Sequence, residues 1–419
     1  MAHDHADLVP RADAVERVLA QRSRALDRLD TERVPIDALA GRVLAEPVTA
    51  SEDQPPYSYA TMDGYAVDAT DDYPLDAVDR EVFPEDDPGG LDAGEAVRIA
   101  TGAPVPEGAN AVLKVEEASV EGREASETPQ EDGDAVVGEL TGTDLEPGTY
   151  VYERGSNVEA GEELFAAGER LSPKDAVLLR DLGVEEVAVR ERLSVGLLAT
   201  GTEIHEGRID DLDSPMLAGL VESWGHDATY EGTVPDDYDT VEERVADLAA
   251  EHDVVVTTGG TSVGKKDYAI RVLKELGDVD FHRVAVRPGK PIALADLPEF
   301  DATALAIPGK PVGAHTITTL VARPLFTGRT DLPTVPAEFP VDLDLGPSGF
   351  EYAIPVTLDD GTATPLGHVD SPLAVYEDTF DPSVLSSSTR ATRADGFVLT
   401  ESGLDAGQQV RVVRYESVE

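Results

Sequence analysis

Three short apolar runs between residues 253 and 315 each break into a glycine–lysine loop, and few folds accommodate that pattern. The segments read DVVVTTGGTSVGKKDY (253–268), VAVRPGKPIAL (284–294) and LAIPGKPVGAH (305–315). A short continuous apolar run closed by glycine reads as a buried strand feeding a turn. Four of the seven lysines of the chain lie in these loops, in a sequence with 84 acidic and 33 basic residues. Glycine leaves backbone N–H groups open and lysine adds a scarce cation, so the loops point to an anionic ligand, phosphate or another oxyanion. Solvated turns would account for one such loop but not for three within ~60 residues.

The surrounding pattern is α/β. SVGLLAT (194–200), residues 227–232, DVVVTT (253–258), FHRVAV (281–286) and ATALAI (302–307) read as strands, with helices over 216–224, 237–251, 268–276 and 312–326. Strands alternating with helices predict a doubly wound parallel sheet, whose ligands bind outside the carboxyl ends of the strands. Since each lysine loop follows a strand, all three should open on one edge. Upstream, residues 12–29 have the apolar spacing of an amphipathic helix. Residues 34–48 read as a strand and a short helix. From 55 to 148, short alternating segments between Gly, Pro and Asp clusters predict a β-rich module with hairpins, and 121–133 an exposed loop. Ser172 and Pro173 open a helix ending at Gly183. After Pro333 alternation returns. The expected organisation is multidomain α+β and α/β: domain I from 8–54 with 147–190, an inserted β-rich domain II over 55–146, a central α/β domain III over 191–329, and a small all-β, barrel-like domain IV over 330–419.

The 419 residues are 41% hydrophobic, enough for several cores. No apolar run approaches the roughly 18 residues of a membrane span, and the start lacks the layout of a signal peptide. The absence of cysteine excludes disulfides, thiolate metal sites and cysteine nucleophiles, and fits a cytoplasmic protein. A net charge of -51 argues against duplex nucleic acid, whose phosphates require basic surface. The acid excess is dispersed along the chain, which predicts a halophilic protein solvated in high salt. A carboxylate in such a chain needs a further reason before it counts as functional.

Residues 259–266, GGTSVGKK, nearly match the P-loop pattern, but Lys266 stands where a magnesium-binding hydroxyl is required. What remains is a glycine loop and helix N-terminus able to hold a tetrahedral anion. Glu203, Asp236, Asp237 and Asp267 each follow a strand or the glycine loop, where Mg²⁺ takes one or two carboxylates beside substrate phosphate. Asp63-Gly64 and Thr101-Gly102 read as hairpin turns, and His3 and His5 as part of a terminal tail.

In order along the chain, ATMDGYAV, RIATGAPVPEGANAV, RGSNVEAGEELFAAG, ATGTEI, TTGGTSVGKKDY, RPGKP, IPGKPV and TRADGFVL make the sequence resemble the MoeA/gephyrin family of molybdopterin molybdenumtransferases. The resemblance runs from about residue 10 to the C-terminus. It implies four domains, a homodimer with the site shared between subunits, and insertion of molybdate or tungstate into adenylylated molybdopterin with Mg²⁺-dependent release of AMP. It implies catalytic roles for Asp63, Thr101, Asp236 and Asp267, and metal binding by Glu203, Asp236 and Asp267. Ligand binding falls to Gly259, Gly260, Thr261, Ser262, Gly264, Lys290, Pro308, Lys310 and Pro311, with Lys265 or Lys266 as further phosphate contacts. Contacts with an adenylyltransferase and with molybdoenzymes are implied partners. The chain departs from the family pattern at Asn157, where an acid is usual, at Asp213-Ser214-Pro215 for D-[ST]-N, at Thr261 for valine, and at Lys310 and Gly313 for Asn and Ser. These departures leave a non-catalytic pterin-binding or scaffolding relative as an alternative. A nucleotide or sugar-phosphate enzyme of generic α/β type is another.

Overall fold

The computed structural model describes residues 8–122, 137–261 and 268–419. The chain divides into two compact units, one of Met1–Glu32, Gly41–Val43 and Val189–Glu419, the other of Arg33–Ala40 and Leu44–Ala188. Among the described residues no helix is long and apolar enough to cross a membrane.

The first unit is built on a six-stranded sheet in the order Asp227–Val234, Ser194–Thr200, Val254–Thr258, Ala302–Ile307, Ala293–Leu297, Asp278–His282. The first four strands run parallel. Val254–Thr258 and Ala302–Ile307 are buried at every position, as expected where helices cover both faces. Alternate side chains serve the two faces. Val195, Leu197, Val254 and Val256 join the core that includes Ala14 and Val18 of the Arg11–Arg28 helix and Leu217 of the Asp213–Ser223 helix. Leu198 and Val255 face Val241 and Val245 of the Tyr238–Glu251 helix and Val272 of the Tyr268–Leu276 helix.

Four expectations need correction. The sheet is not wholly parallel: Ala293–Leu297 runs antiparallel to Ala302–Ile307, and Asp278–His282 antiparallel to Ala293–Leu297. The strand expected over 281–286 ends at His282, because the chain then leaves this sheet. The helix expected from 216 begins at Asp213, since the Asp211 carboxylate accepts from the N–H groups of Asp213 (3.2 Å) and Ser214 (3.1 Å), and Pro215 falls in the first turn, where a missing N–H costs nothing. The single helix expected over 312–326 is Pro311–Ile317, a π-helical segment Thr318–Ala322 and Arg323–Thr327. Pro324 has no N–H to donate and its ring would strike the carbonyl four residues back, and the wider π turn relieves that clash.

Thr334–Phe339, Glu351–Asp359, Thr362–Pro365, Gly396–Thr400 and Gln408–Arg414 close into a ring, each paired with two others. Closure removes the open edges a small sheet would otherwise expose. The short strand Val286–Arg287 joins this barrel, with Val286 opposite Glu351 and Arg287 opposite Tyr352.

The second unit carries a six-stranded sheet in the order Ala111–Lys114, Gly64–Val67, Glu95–Ile99, Leu75–Val82, Gly138–Thr141, Ser119–Gly122. Asp63-Gly64 is not a hairpin turn. Gly64 opens a strand so close to its neighbour that a Cβ would lie 2.1 Å from the Leu113 carbonyl oxygen. Asn157 lies in this unit, where its amide donates to Asp181 (3.3 Å). An acid at 157 would set two carboxylates against each other, which accounts locally for this departure.

Candidate active site

The four parallel strands end together. Thr200 is opposite Val234, Ala199 opposite Thr258, and Thr258 opposite Ile307. Glycine follows three of these ends because the chain must turn in contact with its neighbours. Gly259 has φ +83, and a Cβ there would lie 2.6 Å from the Thr200 carbonyl oxygen. A Cβ on Gly309 would lie 3.1 Å from the Gly259 Cα, so the two loops pack backbone against backbone. The third loop reaches the same edge by another route. It leaves the barrel at Arg287 and enters Ala293–Leu297, whose first residue is opposite Ala306. Because that strand is antiparallel, its start lies where its neighbours end. The loops share one edge as expected, but the 287–291 loop does so by entering a reversed strand.

This edge holds two compartments of opposite charge. The larger, a cavity of ≈ 470 Å³, is lined by Arg287, Lys290 and Lys310 together with loop glycines and prolines, Ser383 and Ser386. Among the described residues no acidic side chain lines it. Among the described residues none of the three cations has a carboxylate within ion-pair distance, in a chain of net charge -51. Lys310 Nζ donates to the Ser383 carbonyl (3.2 Å), and Arg287 Nε is buried without a hydrogen-bond partner among the described residues. Burial, with Arg287 and Arg283 nearby, pushes the Lys290 ammonium below the ordinary lysine range.

The smaller cavity, ≈ 200 Å³, is lined by Glu203, Asp213 and Asp236 with Thr200 and Thr258. Gly259, Gly260 and Gly309 line both compartments and form the ridge between them. Asp236 Oδ2 accepts from Thr202 N (3.2 Å), and Asp236 N donates to Thr202 Oγ1 (3.0 Å), which fixes the carboxylate at the start of Thr202–His205. Asp213 is 7% exposed and its Oδ1 has no partner among the described residues. Burial, and then the neighbouring Asp211, push its carboxyl up to about 6. A buried carboxylate oxygen without a hydrogen-bond partner, in a residue that lines a cavity, invites a cation. Among the described residues no three His, Asp or Glu side chains converge closely enough to enclose a metal unaided. The donors are hard oxygens, and Mg²⁺ asks for one or two carboxylates, the rest of its shell being water and substrate phosphate. The acidic compartment fits that ion.

Of the residues expected from sequence, Gly259, Gly260, Thr261, Lys290, Pro308 and Lys310 line the basic cavity. Pro311 begins the adjoining helix. Glu203 and Asp236 line the acidic cavity. Asp63 and Thr101 are brought together on the second unit, where Asp63 Oδ1 accepts from Thr101 N (2.6 Å) and Oγ1 (2.8 Å). These bonds hold the Asp63 carboxyl below the usual aspartate range. Ser262, Gly264, Lys265, Lys266 and Asp267 lie outside the described residues, as do His3 and His5. Sequence reasoning passed over Asp213 and Arg287, although both stand in motifs it had singled out. Ser383 and Ser386 come from the barrel and carried no signal.

A model described as the MoeA N-terminal region (domain I and II) matches residues 9–183, and one described as a probable molybdopterin binding domain matches residues 196–328. A molybdopterin molybdenumtransferase of Haemophilus influenzae is 31% identical over 323 residues, covering 73% of this chain and 75% of that protein. One from Synechococcus elongatus is 31% identical over 336 residues, covering 75% of this chain and 78% of its own. The crystal structure of a molybdopterin biosynthesis MoeA protein from Pyrococcus horikoshii superposes with a TM-score of 0.70 at 28% identity, over 97% of this chain and 99% of that one.

Proposed function

The chain belongs to the MoeA family of molybdopterin molybdenumtransferases, and from that premise we propose that it inserts molybdate or tungstate into adenylylated molybdopterin and releases AMP. The observation that carries the reading is the pair of oppositely charged cavities divided by a glycine ridge. A substrate with a pyrophosphate link and an incoming oxyanion needs both: unpaired cations for the anions, and carboxylates for a divalent ion.

Lys290, Arg287 and Lys310 hold oxyanion or phosphate oxygens in a cavity where, among the described residues, no carboxylate competes for them. Gly259, Gly260 and Gly309 let the ligand reach the backbone, which a side chain at any of them would obstruct. Glu203, Asp236 and Asp213 would hold Mg²⁺, and Asp267 belongs to the same proposed set. When bound, that ion supplies Lewis-acid polarisation of the phosphate bond to be broken. Asp236 stays oriented through Thr202. The Asp63–Thr101 pair is a preformed hydrogen-bond unit, and a catalytic role for it belongs to this reading. So do a cytoplasmic location, a homodimer with shared sites and transient contacts with an adenylyltransferase.

The test is AMP release from adenylylated molybdopterin in molar KCl with Mg²⁺, adding molybdate or tungstate in turn. Release dependent on one oxyanion is expected and identifies the metal. Tight pterin binding without release under either would overturn the transferase reading in favour of a carrier.

A further inference from the structure

We propose that Phe350, a buried residue of the C-terminal barrel, is the positioning residue for the oxyanion cavity, its ring holding Arg287 and Lys290 as cations facing the ligand. The proposal rests on reading the basic compartment as the anion site. Phe350 is 4% exposed and immediately precedes the Glu351–Asp359 strand. That strand pairs with Val286–Arg287, and the Glu351 N–H donates to the Ala285 carbonyl (2.9 Å), so the ladder itself places the ring beside the cation loop. Both charged groups lie within cation–π range of this one ring: the Arg287 guanidinium carbon is 4.2 Å from its centroid and Lys290 Nζ 5.8 Å. Arg11 grips Glu351 with a two-pronged ion pair (2.7 and 3.0 Å), which fixes the start of the strand carrying the ring.

The two cations repel each other, and among the described residues neither has a carboxylate to offset that. Burial adds to the cost of keeping Lys290 charged. An acidic neighbour would relieve both problems but would compete with the ligand. An aromatic face attracts a cation through its quadrupole without carrying net charge, so it steadies both head groups and leaves them free to bind an anion. The barrel thereby acts on the α/β edge through Arg287 and Lys290 without touching substrate.

Mono-, di- and trifluorinated phenylalanine at position 350 withdraw charge from the ring face while keeping its shape, so folding is retained where Phe350→Leu would leave a void in the core. Calorimetry with inorganic tungstate and molybdate in molar KCl should show affinity falling step by step, about 5- to 30-fold across the series. In turnover, the KM for the oxyanion should rise by the same factor with kcat unchanged. NMR titration of Lys290, one of only seven lysines, should show its pKa falling in the same order. Oxyanion affinity that stays flat across the series overturns the proposal, as does a Lys290 titration indifferent to fluorination. If the parent protein binds neither oxyanion while Lys290 still follows the series, the ring contact stands and the oxyanion reading of the cavity fails.

Discussion

Replacing Asp213 by asparagine should make this protein more stable while impairing its cation site. The carboxyl is buried, one oxygen lacks a partner among the described residues, and its pKa is pushed up to about 6 from 3.8. Between those values the folded chain keeps the proton and the unfolded chain releases it, so stability falls as pH rises through this window and the loss is complete above it. A gap of about two units at 1.36 kcal/mol each gives a cost of about 3 kcal/mol at pH 7 and roughly half that at pH 5. Asparagine has the same shape and no proton to lose, so Asp213→Asn should exceed the parent by those amounts. The comparison is urea unfolding of both proteins from pH 5 to 8 in molar KCl with EDTA. Acids that do not interact with position 213 contribute the same slope to each and cancel in the difference, which leaves only the coupling to Asp211. Adding Mg²⁺ should then raise the parent's stability more than the variant's, because binding favours the ionised carboxylate. A variant no more stable than the parent at pH 7 without divalent cations would refute the argument, since it would mean that the buried carboxylate is already compensated.

Gly259→Ala should cost about 2–4 kcal/mol, from positive φ together with a Cβ driven into the Thr200 carbonyl, whereas Gly313→Ala, whose Cβ meets nothing nearer than 3.6 Å inside a helix, should gain about 0.5–1 kcal/mol; urea midpoints decide both. Lys290→Gln should weaken tungstate binding about 10- to 100-fold, the worth of one charge-assisted hydrogen bond, without lowering the melting temperature, since burial and the neighbouring arginines disfavour the lysine's charge in the folded chain. Asp63→Asn should abolish most AMP release, and should remove a stabilisation that is present above pH 4 and lost as pH falls through the depressed carboxyl pKa, seen as convergence of the two melting curves in acid. Lowering KCl from molar to millimolar should unfold the chain, because screening of its net charge of -51 is withdrawn; a low-salt circular dichroism spectrum identical to that in molar KCl would exclude halophilic adaptation.

What could be read from the sequence and what could not follow from the range of the forces involved. The strands Ser194–Thr200, Val254–Thr258 and Ala302–Ile307 were plain because burial on both faces leaves an unbroken apolar run. The Tyr268–Leu276 helix was plain because its apolar stripe repeats locally. Strand direction leaves no such mark. Nothing in PIALADL states that Ala293–Leu297 runs against Ala302–Ile307, since an antiparallel strand buried on both faces carries the same residues as a parallel one. Long-range pairing escaped in the same way, as Arg287 is opposite Tyr352, sixty-five positions along the chain. The acids show the limit most sharply. With 84 of them, position in a motif could not rank Glu203 above its neighbours, and Asp213 was read only as part of a deviant tripeptide. What distinguishes Asp213 is desolvation, and desolvation belongs to the assembled edge, where the Gly259–Gly309 contact closes over a carboxylate contributed by a different helix. Charge segregation at this site is thus a property of topology. Reversing one strand delivers the lysine loop to the edge where the carboxylates already lie, and the glycine ridge keeps the two charges from neutralising each other.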